Sequence, residues 1–175
     1  LQDAILASVG LTMADVRPVP VVNLFQGVEQ LGRGNLDAAV IGPPVSQIQQ
    51  ANVDLASHGG VRFVSLDDSP ESLAAMRRHL PVKILKMEPA PVLVGVTAPT
   101  NFMAYSIYLT TNAKMADETV YKLVKTLSEN AEELKKITPV LNRFNPGEMT
   151  EKVDVPWHPA AIKYYSEVGQ WPPKD

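Results

Sequence analysis

Apolar residues in the first two-thirds of the chain alternate between helical spacing and short, nearly continuous runs. The helical spacing predicts helices at residues 1–9, 24–31, 45–53 and 70–80. The β-rich runs between them predict strands at residues 16–22, 36–41 and 62–66. Because short strands that alternate with helices are typical of a mostly parallel sheet covered on both faces, the sequence predicts an α/β fold.

The last third of the chain follows a different pattern. Residues 82–87 and 102–111 show the alternation of extended strands, and residues 117–134 carry the apolar stripe of one long helix that Asp117 can cap. Pro159 suits the first position of a C-terminal helix, because its missing N–H costs little there. The proline-rich residues 89–99 are predicted to form a connecting loop.

Composition excludes several function classes. Of the 175 residues, 45% are apolar and 20% are charged, as is normal for a globular domain, and the net charge of −3 gives no basic face for nucleic acid. The absence of cysteine excludes disulfides and thiol chemistry. The chain starts at Leu1 with helical spacing from the first residue, which we interpret as a processed or truncated chain without its targeting segment.

Catalytic chemistry has little support in the sequence. The three histidines, His58, His79 and His158, lie in no metal-ligand pattern, and no glycine-rich loop has nucleotide-binding spacing. The acidic pair Asp67–Asp68 is interpreted as a turn followed by a helix cap. We interpret His158 as a residue that holds a C-terminal loop in place.

A binding function fits two loops better. In parallel α/β sheets, ligands lie beyond the carboxyl ends of the strands, where free N–H groups at helix starts bind anions without a cationic side chain. The segments 22–26 and 41–47 have this position in the predicted fold. The same segments would also suit ordinary βα loops. The residues predicted to bind a ligand are Asn23, Phe25, Gln26, Gly42, Pro43, Ser46 and Gln47.

Three stretches of the sequence resemble the TAXI-type solute-binding proteins of TRAP transporters. Gly10–Val16 is similar to the family's segment between a helix and the next strand. Gly34–Ala39 is similar to its G-x-[IL]-D-A turn into a buried strand, and Val155–Tyr165 to its P-x-H-P-G-A-x-x-Y-Y ending. The sequence departs from the family at Ala160, where glycine is usual, and in the loop 42–44. Family members are also much longer at their N-terminal end.

The resemblance implies a type II periplasmic binding protein-like fold. Residues 1–95 would form the second of two α/β lobes, and residues 96–175 a crossing strand and C-terminal helices that return to the first lobe. Family members capture small organic anions, such as amino acids or carboxylates, by lobe closure, without metal or cofactor, and deliver them to TRAP permease subunits in the membrane. The implied location is the periplasm or the outer face of the membrane.

Two other functions remain open at this point. The same fold serves as a ligand-sensing module of regulators, which a signalling or transmembrane segment elsewhere in the protein would favour. An enzyme on the same fold would require a convergent acid/base or metal constellation, and turnover of a bound solute would reveal it.

Overall fold

The computed structural model describes the chain except for residues 44, 138, 174 and 175 and the side chains of residues 139 and 140. The chain divides into two compact units, Leu1–Ile107 and the residues from Tyr108 onward. The first unit contains the helices α1 (Gln2–Ala7), α2 (Leu24–Gly32), α3 (Ser46–Asp54) and α4 (Pro70–Arg77) and the strands β1 (Lys83–Met87) and β2 (Thr100–Ala104). The second contains α5 (Asp117–Glu129), α6 (Ala131–Ile137) and α7 (Pro159–Glu167). Short 3-10 segments are Met13–Asp15, Ala56–His58, Pro139–Arg143 and Pro146–Glu148.

The four predicted helices of the first unit are confirmed, and local signals define the starts of α2 and α4. Asn23 Oδ1 accepts a hydrogen bond from the N–H of Gln26 at 2.9 Å and thereby caps α2. Ser69 Oγ accepts from the N–H of Ser72 at 3.2 Å, and Pro70 occupies the first position of α4. These contacts lie within one helical turn, so the sequence alone specifies them.

The predicted mostly parallel sheet is not observed, and the three strands predicted at residues 16–22, 36–41 and 62–66 are wrong. Within the described residues the sheet consists of β1 and β2, paired antiparallel. Residues 36–41 contain no buried residue, although their apolar run predicted burial on both faces. A strand exists only where a neighbour completes its hydrogen-bond ladder, and apolar content alone does not supply that neighbour.

The segment 62–66 also has no neighbouring strand with a continuous hydrogen-bond ladder among the described residues. Its N–H groups make isolated hydrogen bonds, from Phe63 to the carbonyl of Gly95 at 2.8 Å and from Leu66 to the carbonyl of Asn101 at 3.0 Å. The predicted strand at residues 82–87 is confirmed by β1. The strand predicted at residues 102–111 is confirmed only as far as Ala104, and residues 105–111 are exposed and outside the ladder.

Two apolar clusters form the core of the first unit. Ala4 of α1, Met76 of α4 and Val82 are at most 1% exposed and pack together. Val28 of α2 packs with Ile48 and Ala51 of α3 in the second cluster. The second cluster fixes the pair of helices whose N-terminal ends carry the predicted ligand-binding residues.

Glycine at position 32 lets α2 and α3 approach closely. A methyl group at Gly32 would lie 3.2 Å from Cα of Ala51, whereas one at Gly27 would lie 3.8 Å from its nearest neighbours. We expect Gly32→Val to lower the free energy of unfolding by about 1–3 kcal/mol through overpacking. Gly27→Ala is the matched control and should raise it by up to about 1 kcal/mol through helix propensity. Chemical denaturation followed by circular dichroism measures both, and equal effects would contradict the close packing.

The single helix predicted over residues 117–134 is two helices. Asp117 is the first residue of α5 and Ala116 precedes it as the N-cap, so Asp117 does not cap the helix as predicted. Asn130 lies between α5 and α6, and its Nδ2 donates to the carbonyl of Thr126 at 2.8 Å. The main-chain N–H of Asn130 also donates to this carbonyl, at 3.1 Å, and the φ of −116° at Asn130 departs from helical geometry and ends α5.

Aromatic rings dominate the core of the second unit. Tyr164 and Tyr165 of α7 are 4% and 3% exposed and pack with Val120 and Val124 of α5. Edge-to-face ring pairs extend this core, with centroids 5.7–5.8 Å apart. The pairs are Tyr121–Tyr164, Tyr164–Tyr165, Trp157–Tyr165 and Trp157–Trp171. Such pairs stabilise a core by about 0.5–1.5 kcal/mol each beyond the burial of their area.

Two tyrosines of this unit should make its stability depend on pH in the alkaline range. The hydroxyl of Tyr121 donates to Glu167 Oε2 at 2.5 Å, and this bond, followed by burial, raises the pKa of Tyr121 above its ordinary 10.0. Burial raises the pKa of Tyr165. Since the folded state favours both neutral phenols, their contribution is complete below about pH 10 and is lost as pH rises through the raised pKa values.

We therefore expect Tyr121→Phe to flatten the decline of the melting temperature between about pH 8 and about pH 12. The matched control is Tyr105→Phe, which changes an exposed tyrosine of the first unit and should leave the decline unchanged. A Tyr121→Phe profile that superimposes on that of the unmodified protein would contradict the contribution of this hydrogen bond.

Candidate functional site

The first predicted site segment lies at the start of α2 and is held by two side-chain hydrogen bonds. Asn23 Oδ1 caps the helix, and Gln26 Oε1 accepts from the N–H of Val22 at 2.6 Å. The side-chain NH₂ groups of Asn23 and Gln26 have no acceptor among the described residues. The N–H groups of Leu24 and Phe25 likewise have none. The start of α2 therefore offers ordered donors, with Phe25 47% exposed beside them.

The second predicted segment lies at the start of α3, which no side chain caps. Ser46 Oγ donates to Gln47 Oε1 at 3.2 Å, so this hydroxyl bonds to its neighbour and not to the helix. In the described part of the chain, the N–H groups of Ser46 and Gln47 have no acceptor. Gly42 borders open space and Pro43 is half-buried, whereas Pro44 lies outside the described residues.

The contacts between α2 and α3 show how the two predicted site segments lie relative to each other. Val28 and Ile48 line one small cavity, and four residues further along α2, Gly32 meets Ala51. Because the contacts advance together along both helices, they indicate that the helices run in the same direction. Their starts then lie at the same end of the pair. No hydrogen bond joins the two segments among the residues that the structure describes.

The extended segments that lead into both helix starts flank α2. A methyl group at Gly27 would lie 3.8 Å from side-chain carbons of Ala39 and Val21. Ala39 belongs to the segment before α3, and Val21 to the segment before α2. Both approach α2 within its first turn, as expected for two loops that converge, although neither segment is the strand that the sequence predicted.

The two predicted segments bring main-chain partial charges to this site and no charged side chain. Neither 22–26 nor 41–47 contains a charged residue. Free N–H groups at a helix start carry partial positive charge, which favours an anion. The cavity beneath the site has a volume of only about 50 Å³, too small for an organic solute. It is lined by Val28, Leu31, Ala39, Ile41, Ile48, Val61, Arg62 and Phe63.

Sequence reasoning missed Leu24 as a candidate donor. Its signal was present, because the residue after an N-cap always has an N–H group without an intrahelical acceptor. The structure adds that Ser46 occupies the equivalent first position of α3, directly after Val45. This equivalence makes the two helix starts comparable donor sites.

Of the other polar residues singled out in the sequence, His158 and Asp67 have structural contacts. His158 precedes α7, where its Nδ1 accepts from the N–H of Ala160 at 3.3 Å and its Nε2 lies 3.1 Å from the carbonyl of Met115. The interpretation that His158 holds a loop in place is confirmed. Asp67 accepts hydrogen bonds from Ser69 and closes a turn before α4. Within the described residues, no group of histidine, aspartate and glutamate side chains is arranged to bind a metal.

The cap at Asn23 is testable by its effect on stability. We expect Asn23→Ala to lower the free energy of unfolding by about 1 kcal/mol, because the N–H of Gln26 loses its acceptor. The matched control is Asn35→Ala, which removes an exposed contact with Gln30 and should change stability by less than about 0.5 kcal/mol. Urea denaturation of the variants measures both, and equal losses would show that Asn23 does not stabilise the helix start.

Comparison with known proteins assigns the chain to a class of binding proteins. The sequence model of the NMT1-like family matches residues 1–169. The chain belongs to the NMT1-like family, a family of periplasmic binding protein-like proteins whose members bind solutes and are typically extracytoplasmic and non-enzymatic. No curated protein matches the chain. Among the described residues, no helix has the length and apolar character required to cross a membrane.

Proposed function

We propose that the protein is the solute-capturing component of a TRAP-type importer of the TAXI kind. Its solute in this proposal is a small organic anion, either an amino acid or another carboxylate. The observation that supports it best is the set of N–H groups at the starts of α2 and α3 that have no acceptor among the described residues, in two segments without charged side chains. Such donors suit a carboxylate, because charge-assisted hydrogen bonds to main-chain N–H groups are strong.

In this proposal a carboxylate accepts hydrogen bonds from the N–H groups of Leu24, Phe25, Ser46 and Gln47. The side chains of Asn23 and Gln26 contribute neutral donors, Gly42 allows the solute to approach the main chain, and Phe25 and Pro43 supply apolar contact. The donors do not have to reorganise, since Asn23 and Gln26 are already held by hydrogen bonds to their own loop. Binding requires no cofactor.

Capture then takes place by lobe closure. Residues 1–95 act as the second lobe, and residues 96–175 provide the crossing strand and the helices that return to the first lobe. A solute that contacts both lobes stabilises the closed state by its higher affinity for it. The closed protein delivers the solute to the TRAP permease subunits at the extracytoplasmic face of the membrane.

A thermal-shift screen of the full-length protein against organic acids and amino acids tests whether it binds such an anion. A solute present at about 100 times its dissociation constant stabilises the native state by about 2.7 kcal/mol, which raises the melting temperature by several degrees. Uncharged analogues of the same solute, such as the amide, should give no shift. A panel in which only uncharged or cationic solutes raise the melting temperature would contradict the proposal.

Two substitutions at Ser46 separate main-chain from side-chain binding. Ser46 is the first residue of α3, where proline is well tolerated, and the extended conformation of Val45 suits a residue before proline. Ser46→Pro therefore removes one N–H donor while keeping the helix. Ser46→Ala removes the hydroxyl and keeps the N–H.

We expect Ser46→Pro to weaken solute binding about 10- to 100-fold in calorimetric titrations, corresponding to a charge-assisted hydrogen bond of about 1.5–3 kcal/mol. Ser46→Ala should weaken it about threefold or less. Asn23→Ser keeps a capping oxygen, so any loss of affinity in that variant reports the missing side-chain NH₂ group and not an altered helix. Equal affinities of Ser46→Pro and Ser46→Ala would remove this N–H group from the site.

A further inference from the structure

A shallow groove with opposite charges at its two ends lies over the exposed face of α4 in the first unit. Its volume is about 530 Å³, and it is lined by Asp68, Pro70, Leu73, Ala74, Arg77 and Arg78. The apolar residues Pro70, Leu73 and Ala74 lie between Asp68 at one end and the two arginines at the other. From Pro70 to Arg78 the helical rise gives the groove a length of about 12 Å, or two turns of a helix.

Among the described residues, the arginines of this groove have no acidic partner. Neither Arg77 nor Arg78 forms an ion pair with a carboxylate in the part of the chain that the structure describes. Arg77 is nevertheless held in position, because its Nε donates to the carbonyl of Val82 at 3.0 Å. The remaining N–H groups of this guanidinium are left to bind an acidic group from another molecule.

The opposite face of α4 is already occupied. Met76 is fully buried against Ala4 and Val82, and Ser72 is 4% exposed on the same side. The face that lines the groove carries the exposed residues Pro70 and Ala74 and the half-buried Leu73. An apolar strip between charged ends on a helix surface is the arrangement that binds the apolar face of a second helix.

We propose that the α4 groove docks an amphipathic helix of a partner protein, oriented antiparallel to α4. This helix carries acidic residues in its first turn, which bind Arg77 and Arg78, and basic residues in its last turn, beside Asp68. Its apolar residues contact Pro70, Leu73 and Ala74. The charge order is favourable for the docked helix itself, because acidic residues stabilise a helix start and basic residues a helix end. The two helix dipoles are also antiparallel.

A pair of synthetic peptides tests the proposal by fluorescence anisotropy. Both peptides have about 16 residues, blocked ends and the same apolar stripe. The first carries two glutamates in its first turn and two lysines in its last, and the second has these charges exchanged. We expect the first peptide to bind with a dissociation constant below about 1 mM and at least tenfold more tightly than the second, and to lose affinity as salt is raised.

Charge reversal in the groove controls for the different helicity of the two peptides. The combined variant Asp68→Lys, Arg77→Glu and Arg78→Glu should prefer the second peptide, and Arg78→Glu alone should weaken the first peptide at least threefold. The matched control, Arg17→Glu with Lys86→Glu, changes exposed cations of the same unit outside the groove and should keep the original preference. Equal binding of both peptides, an unchanged preference in the combined variant, or no binding at about 1 mM would overturn the proposal.

Discussion

Replacing Tyr164 by alanine is expected to lower the free energy of unfolding of the second unit by about 3–5 kcal/mol, the range for a large aromatic side chain removed from a core. The ring is 4% exposed, packs against Val120 and Val124, and forms edge-to-face pairs with Tyr121 and Tyr165. Its removal leaves a cavity between α5 and α7 that rigid neighbouring rings cannot fill.

Tryptophan fluorescence measures this effect selectively. The chain contains two tryptophans, Trp157 and Trp171, and both belong to the second unit and contact its aromatic core. The denaturation midpoint seen by fluorescence should fall sharply in Tyr164→Ala. Tyr164→Phe keeps the ring and should cost about 1 kcal/mol or less. A loss in Tyr164→Ala no larger than that of the phenylalanine variant would contradict the central place of this ring in the core.

Replacing Met76 by alanine is the corresponding test of the first unit, with an expected loss of about 2–5 kcal/mol. Met76 is fully buried and joins Ala4 of α1 to Val82 beside β1. Because α1 and α4 are short, this contact provides a large share of the buried apolar packing between the two helices. The loss should appear as faster amide hydrogen exchange in α1 and α4.

The matched control for Met76→Ala is Met13→Ala, which changes a methionine that is 36% exposed. We expect that variant to alter stability by less than about 0.5 kcal/mol. If α1 and α4 exchanged at the same rate in both variants, Met76 would not be the residue that joins them.

The sequence predicted the helices well because their signals are local. Asn23, Ser69 and Pro159 lie within one turn of the groups that they cap or the helices that they start. The helix predicted over residues 117–134 is interrupted at Asn130, whose φ of −116° and ψ of 30° end α5. Helical spacing does not reveal this interruption, since Asn130 follows Leu123 by seven residues and Leu127 by three and so fits the predicted helix.

The strands were predicted poorly because pairing is not a local property. Residues 36–41 have the composition of a buried strand, yet their main chain finds no ladder among the described residues. By contrast, β1 and β2 pair in the register Lys83↔Ala104 to Met87↔Thr100. What distinguishes the two cases is a partner 13 or more residues away in the chain, which an apolar run does not specify.

The candidate site was predictable in part. The cap at Asn23 was predictable from residue type, and so was the presence of donors at two helix starts. The hydrogen bond from Val22 to Gln26 and the lack of a cap on α3 were not, because both depend on side-chain conformation. The direction of α3 relative to α2 depends on contacts such as Gly32 with Ala51, which the sequence does not encode at any fixed spacing.

The most direct test of the central claim is to follow the main-chain amides by NMR while an organic anion that raises the melting temperature is titrated in. We expect the N–H signals of Leu24, Phe25, Ser46 and Gln47 to show the largest shifts and to saturate with one dissociation constant. Saturable binding that leaves these four signals unmoved would contradict the claim.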